Sequence, residues 1–402
     1  MTEKHSRGKI HLINDLPHYY ELEDMVSFCR RNERTYIYGV SDNQEYLLKF
    51  FDNCGIPIAG YVTTQKETPC FRYRSIPVIT IDEIIGMKNA GALLALPDRY
   101  YRYVIPKFRK FGFAGYFVMT EFIKKAVAGQ MKRRPIEEMT LEVNLADHCN
   151  IACQMCDHYS QLAEERFLDV DSFDRDMKRM GKIFGHEIAC ISLVGGEPTL
   201  HKDIIRCMEI TRREFPRAEV IVLTNGLLLL ELEHSPKGNF WKSCKDLNVQ
   251  ITVTVYPINF DYGAVERKAA EYGTRLFMSS NIHADAATKV VKITEKHPFD
   301  LGGNAEKYYF AGCSYFNKYN VLKDGRVYMC PISAHIGIFN KYFNQNLRLG
   351  EQDSLDIYKI ESWEEIAEFS SNIIPFCGYC DVKNRRPYSE WKSSSKDVSE
   401  YV

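Results

Sequence analysis

The chain has 402 residues, 45% of them hydrophobic and 26% charged, the composition of an ordinary globular protein; disorder and fibrous repeats are excluded. Fifty-two basic residues against fifty-three acidic ones leave a net charge of −1, so no field gathers a polyanion and nucleic acid is not an expected partner. The length allows two or three domains, each with its own core.

Met1 to Lys9 are polar and charged with no apolar stretch behind them, so no secretory signal is expected. The longest apolar run, Ala92 to Leu96, falls far short of the roughly 20 residues a bilayer requires. Thirteen cysteines without an export signal point to a reducing compartment, the cytoplasm, where clustered thiols are read as metal ligands before disulfides.

A helix from Leu22 to Arg31 leads into a β-type run, Thr35 to Val40, ending in Gly39-Val40-Ser41-Asp42. Glu45 to Asn53 follows as a helix, ended by Gly55, and Ile56 to Val62 as a second strand; Pro77 to Ile79 and Ala92 to Leu96 continue the alternation. This describes a parallel α/β unit, a Rossmann-like domain over residues 1–125, with its first turn pointed at a possible ligand. The run Tyr36 to Val62 with Ile76-Pro77-Val78-Ile79 resembles the nucleotide-sugar-binding N-terminal domain of bacterial sugar acyltransferases. Only Gly39 stands where a G-x-G-x-x-G fingerprint has three glycines, and a scaffolding or docking role is the alternative. The basic stretch Phe122 to Glu138, including Lys132-Arg133-Arg134 and broken by Pro135, reads as helical and then as a linker over 126–138.

Met139 to Leu145 alternates Leu141, Val143 and Leu145 with Thr140, Glu142 and Asn144, a strand running straight into Cys149-Asn150-Ile151-Ala152-Cys153-Gln154-Met155-Cys156. Three thiols spaced C-x3-C-x2-C suit three corners of an iron–sulfur cube, leaving one iron open to a substrate or cofactor. A zinc knuckle with a distant fourth ligand, or cysteines that merely pack, are the alternatives. Asp157, His158 and Tyr159 follow directly; they could face substrate, and are read first as partners behind the ligands or as surface residues.

Downstream, Ser172 to Ile183 reads as a helix, Glu187 to Val194 as a strand, His201 to Phe215 as a helix and Glu219 to Thr224 as a strand. Val249 to Tyr256, Gly263 to Tyr272 and Arg275 to Ser279 continue as strand, helix and strand. Five or six such units give an open, partial barrel over 139–305. Gly195-Gly196-Glu197-Pro198 and Thr224-Asn225-Gly226 end two of these strands. Paired glycines let a ligand approach the backbone, Glu197 offers a carboxylate to an ammonium, and Thr224 and Asn225 offer a hydroxyl and an amide. Each loop alone could be a plain turn, but in a parallel sheet they share one rim with the cysteines.

Taken in this order, the cysteine triplet, Gly195-Gly196-Glu197-Pro198 and Thr224-Asn225-Gly226 resemble the radical S-adenosylmethionine (SAM) superfamily over about Met139 to Ser280. The resemblance implies a [4Fe-4S] cluster on Cys149, Cys153 and Cys156, closed by the amino and carboxylate groups of SAM. It also implies reductive cleavage of SAM to a 5′-deoxyadenosyl radical, with the electron delivered by a donor such as flavodoxin or ferredoxin. Gly195, Gly196 and Glu197 would hold the methionine ammonium and Thr224 and Asn225 would line the SAM pocket. Met155 stands where the family often has an aromatic residue near the adenine; a polarizable thioether can also lie against a ring.

Four cysteines fall late, Cys313, Cys330, Cys377 and Cys380. Tyr319 to Tyr328, with Lys323-Asp324-Gly325 at its centre, reads as a hairpin that carries Cys330 back toward Cys313, and Cys377-Gly378-Tyr379-Cys380 is a C-x2-C turn. The four could hold zinc or a fully ligated cluster. This tail, residues 306–402, resembles the C-terminal extension of SPASM/twitch radical SAM enzymes in its shorter twitch form, which implies one auxiliary [4Fe-4S] cluster that relays an electron or staples the tail. Cys29, Cys54, Cys70, Cys190, Cys207 and Cys244 are core candidates, and His335 reads as a loop histidine near the tail site.

The expected fold is therefore α/β: a partial (β/α)6 TIM-like barrel, an N-terminal Rossmann-like domain and a small cysteine-rich twitch domain. The expected function is radical SAM oxidation or epimerisation of a small or carrier-linked substrate, a sugar or polyol by preference. A peptide-modifying maturase and a non-catalytic electron-transfer protein are the rivals.

Overall fold

The computed structural model describes residues 19–39, 44–64, 76–121, 123–124, 127, 131–234, 238–279, 293–296, 298–305, 313, 315–384 and 386–402. Cys70, Val40-Ser41-Asp42, Phe122 and the segment before residue 19 lie outside them. The described residues fall into two compact units divided between Lys132 and Arg133.

The first unit is built on a five-stranded sheet of β1 (Arg34–Tyr38), β2 (Ile58–Thr63), β3 (Val78–Thr80), β4 (Ala90–Leu94) and β5 (Tyr116–Val118), in the order β3-β2-β1-β4-β5. Every pairing is parallel, the doubly wound arrangement whose strand order reverses between β1 and β4. Buried on both faces, β1 and β4 read as nearly continuous apolar runs, as central parallel strands do. Gly39, just after β1, has φ +104 and a Cβ there would come within 2.4 Å of Leu96 Cδ2, so the first turn is glycine because the loop after β4 lies against it.

The second unit holds an eight-stranded sheet. Its strands are β6 (Thr140–Asn144), β7 (Cys190–Val194), β8 (Glu219–Thr224), β9 (Val249–Thr254), β10 (Leu276–Ser279), β12 (Asn320–Lys323), β13 (Arg326–Tyr328) and β14 (Ser354–Asp356), while β11 (Ile293–Lys296) pairs separately with β15 (Arg386–Glu390). The order is β10-β9-β8-β7-β6-β12-β13-β14. From β10 to β12 all neighbours are parallel, giving the mixed α/β fold with a parallel core; β13 and β14 add antiparallel. The sixth parallel strand is thus β12, from the tail, which pairs with β6 at the side opposite β7. Helices Val170–Phe184, Ile204–Glu214 and Tyr262–Tyr272 carry Phe173, Met177, Met180, Met208 and Val265 into the core against Ile191, Val220 and Ile251.

The β12–β13 turn is the expected hairpin: Asp324 and Gly325 both have positive φ, 49° and 70°, the geometry of a type I′ turn that Asp-Gly adopts readily. Lys323 reaches from its last strand position to Asp147 at 2.5 Å, tying the hairpin to the base of the cysteine loop.

At the opposite end of the sheet, where β8 and β9 begin, Arg212 donates to the carbonyls of Phe215, Pro216, Ala218, Leu247 and Asn248 at 2.9–3.3 Å. No other side chain type presents five donors in a fixed plane. Replacing Arg212 by Lys keeps the charge but cannot reach all five acceptors, and is expected to cost about 2 kcal/mol, read as a lowered thermal midpoint with ligand binding at the far end of the sheet unchanged.

Candidate active site on the cysteine loop

The strand β6 ends at Asn144, whose amide donates to Asp147 at 2.9 Å, and the chain then turns through the cysteines. The three loops expected to share a rim do so. Cys149, Cys153, Met155, Cys156, Gly195, Gly196, Glu197, Thr224 and Asn225 all line one cavity of about 300 Å³, at the carboxyl ends of β6, β7 and β8, as the chemistry of parallel α/β folds requires.

Besides lining the cavity, the two glycines admit a neighbouring stretch of backbone. A Cβ on Gly196 would lie 2.0 Å from the His148 carbonyl oxygen, and one on Gly195, where φ is +147, would lie 2.4 Å from that of Ala146. The close approach is by the protein's own cysteine loop, fixed by Gly196 N–H to Ala146 O at 2.7 Å and Glu197 N–H to His148 O at 3.1 Å.

Glu197 is likewise occupied. Its carboxylate is 1% exposed and accepts the Thr199 N–H at 3.0 Å, the Thr199 hydroxyl, the Thr224 hydroxyl at 2.6 Å and the Asn225 N–H at 2.8 Å. Three of these donors converge on Oε1 and one reaches Oε2, so the residue locks the two loops together while Oε2 keeps a lone pair for a further donor. Burial pushes its pKa up, against the pull of these donors. Asn225 in turn donates to Asn150 Oδ1 at 2.6 Å, which brings the Thr-Asn-Gly loop onto the cysteine loop.

The sulfurs of Cys149 and Cys153 meet hydrogen-bond donors. Cys149 accepts the Ile151 N–H at 3.4 Å. Cys153, 8% exposed, accepts the Trp391 indole N–H at 3.2 Å and bonds to Tyr256. Cys156 lies within 4.8 Å of a His158 ring nitrogen, and although burial would raise its pKa, the nearby His158 helps leave it lowered. His158 is held protonated, with a pKa raised to about 10: burial opposes this, but the Asp157 carboxylate at 2.9 Å and Cys156 outweigh it. Asp157 also accepts the Tyr315 hydroxyl at 2.5 Å. Donors converging on thiols are the surroundings a thiolate–metal site needs. Among the described residues, the group of metal-ligand types whose atoms all lie within 4.8 Å of one another is Cys156, Asp157 and His158. The three loop cysteines spread more widely than ligands of a single zinc, about 3.8 Å apart by tetrahedral geometry. Met155 between them sits at φ 59, a left-handed kink that separates Cys153 from Cys156.

Several residues on the cavity were not singled out from the sequence. Glu142 projects from β6 into it, and its Oε2 is sealed from water without a hydrogen-bond partner. Burial pushes its carboxyl up to about 7, against the pull of His158. The signal was the polar half of the β6 alternation, which faces the cavity. Tyr315 and Tyr256 also line it; Trp391 lies in a polar stretch, where a large indole is out of place unless it has a partner.

In the tail, Cys330 caps the helix Pro331–Phe343, while Cys377 lies in the turn Pro375–Tyr379 and Cys380 directly follows it. Burial raises the thiol of Cys330 to about 12, with Cys313 adding to it, and raises that of Cys377 with contributions from Cys313 and Cys330. Tyr159 is buried against Cys330 and Cys380. His335 departs from expectation: it is 1% exposed inside the helix, its ring 4.7 Å from that of His158. Tyr159, too, is buried rather than on the surface. Of the remaining cysteines, Cys29, Cys207 and Cys244 are buried, while Cys54 and Cys190 are only half-buried; among the described residues no disulfide forms. No described helix is long and apolar enough to cross a membrane.

A parallel sheet with a three-cysteine loop beyond β6 and two polar loops beside it is the arrangement in which open α/β folds gather ligand-binding groups at their strand ends. Residues 143–255 match the profile of the radical SAM superfamily, and this stretch, from within β6 to just past β9, is a radical SAM domain, of a family that uses a [4Fe-4S] cluster and SAM. A probable GTP 3′,8-cyclase of Pyrococcus horikoshii is 32% identical over 105 residues, covering 26% of this chain and 31% of that protein. One from Saccharolobus islandicus is 23% identical over 238 residues, covering 52% of this chain and 70% of that protein. The chain thus spans about a third of the length of the first of these relatives. Among solved structures, BtrN in complex with AdoMet and 2-DOIA is 16% identical with a TM-score of 0.37, over 62% of this chain and 94% of that one. SuiB of Streptococcus suis bound to S-adenosylmethionine is 14% identical with a TM-score of 0.25, over 61% and 67%.

Two outcomes follow from this geometry. Gly196→Ala forces a methyl into the His148 carbonyl, so the variant should keep its far-UV circular dichroism but take up less iron on anaerobic reconstitution, down to about half the normal amount where only a tail cluster forms. Glu142 has a folded pKa raised from 4.5 to about 7, so its contribution is fully present below about pH 4.5 and is lost as pH rises through 7. Glu142→Gln should therefore leave stability at pH 4 unchanged and raise it at pH 8, by at most about 3 kcal/mol, in denaturant titrations at the two pH values.

Proposed function

We propose that Cys149, Cys153 and Cys156 hold a [4Fe-4S] cluster whose open iron takes SAM, and that the chain abstracts hydrogen from a small or carrier-linked substrate in the adjoining cavity. The observation that carries this is the gathering of the triplet, Met155 and the two loops on one cavity, with donors at the sulfurs of Cys149 and Cys153. Such a cluster with bound SAM supplies, on reduction, a 5′-deoxyadenosyl radical. The chain's own residues then divide the remaining work. Gly195, Gly196, Thr224 and Asn225 would line the space for SAM, and Glu197, whose Oε2 accepts only the Asn225 N–H, would meet its methionine ammonium. Met155 packs beside the adenine.

Glu142 is the cavity's unpartnered carboxyl, and a pKa near 7 suits a group that accepts a proton from a substrate hydroxyl as its carbon is oxidised. This favours oxidation of an alcohol, in a sugar or polyol, over epimerisation. Cys313, Cys330, Cys377 and Cys380 would hold a closed auxiliary [4Fe-4S] cluster in a twitch-type tail, a group that could supply an acceptor for the electron released when a substrate carbon is oxidised. A flavodoxin or ferredoxin in a reducing cytoplasm supplies the electron for SAM cleavage.

Anaerobically reconstituted, reduced protein given SAM should form 5′-deoxyadenosine. Cys153→Ala should abolish this, whereas Cys377→Ala should retain it. A fully active Cys153→Ala protein would overturn the assignment, and absence of 5′-deoxyadenosine from the wild type would favour simple electron transfer.

A further inference from the structure

The C-terminal stretch after β15 runs onto the cysteine loop. Gln154 N–H bonds to Lys392 O and Ser394 N–H to Ala152 O, each at 2.9 Å, so Cys153 and Ser393 form an antiparallel bridge. The stretch is pinned from beyond as well. Glu400, 5% exposed, accepts the Ser394 hydroxyl at 2.8 Å and both the N–H and hydroxyl of Ser395. Tyr401, 2% exposed, packs on Tyr159, Phe339 and Phe343. Held at both ends, Trp391 turns its indole edge-to-face onto Tyr256, ring centres 5.7 Å apart at 71°, and aims its N–H at the Cys153 sulfur.

We propose that Trp391 sets the reduction potential of the cluster on the cysteine triplet by donating its indole N–H to the sulfur of Cys153. The inference rests on the triplet holding that cluster. Reduction adds one negative charge, shared with the coordinating thiolates. A donor fixed on a thiolate stabilises the reduced form more than the oxidised one and raises the potential. Burial of the sulfur strengthens the effect, because little water competes or screens. The indole is a donor only and does not titrate, so its contribution is constant with pH. Tyr256, reaching the same sulfur from beyond β9, acts with the same sign. Trp391 is a positioning residue here, working through Cys153 and not on substrate.

The test is a potentiometric titration of the full, reconstituted chain followed by electron paramagnetic resonance. Trp391→Phe keeps an aromatic ring to set against Tyr256 and removes the N–H donor. At a fixed potential the reduced-to-oxidised ratio of the triplet cluster should fall about tenfold, a midpoint about 59 mV lower for one electron. The tail cluster, identified as the signal that survives in Cys153→Ala, should not move. Tyr256→Phe should shift the triplet signal in the same direction, and Trp391→His, which retains a ring N–H, should recover part of the loss. An unchanged midpoint in Trp391→Phe, or an equal shift in Trp391→His, overturns the inference. Failure of Cys153→Ala to remove any signal overturns instead the assignment of the cluster on which it rests.

Discussion

The site depends on one close contact between two backbones. The Gly195-Gly196 turn after β7 lies so near Ala146 and His148 that neither position has room for a side chain, and two backbone hydrogen bonds lock the approach. Because β6 and β7 are neighbours in register, Asn144 opposite Val194, the two loops leave the sheet side by side and only glycine lets them press together. Glu197 then gathers the loop after β8 into the same assembly through its carboxylate, which accepts from Thr224 and Asn225. The cysteines are therefore presented by a rigid rim rather than by a free loop, which is the condition for holding ligands at fixed separations.

The parts legible in the sequence are local. The triplet, the Gly-Gly-Glu-Pro and Thr-Asn-Gly turns and the Asp-Gly hairpin are each a few contiguous residues whose chemistry names their place, and parallel topology puts strand-end loops on one rim. The β1, β2 and β6 to β10 runs were readable because buried parallel strands are apolar and short. The roles of Gly196 and Glu197 were not, since a glycine that admits a ligand and one that admits a neighbouring backbone look identical in one dimension. Trp391 was invisible for a stronger reason: its partner, Cys153, is 238 positions away, and no spacing rule spans that interval. The pairing of β12 with β6 was hidden in the same way.

Polarity along β6 divides the labour of the second unit. Leu141 and Val143 enter the core, while Glu142, on the other face, reaches the cavity. A carboxyl placed there costs stability whenever it is ionised, and sites that retain such costs are commonly those where the group meets a ligand. The opposite end of the sheet has no such tension; there Arg212 satisfies the carbonyls where β8 and β9 begin, and its role is purely structural. Function and stability thus sit at the two ends of the same strands.

The antiparallel bridge between Cys153 and Ser393 has a consequence for how the protein is made. A ribosome adding roughly 5–20 residues per second needs about 10–50 s to go from one bridged residue to the other. Throughout that interval the cysteine loop has emerged while the stretch that covers it has not been synthesised. A cluster delivered during translation would meet an open loop, and one delivered afterwards would have to enter past a strand already in place.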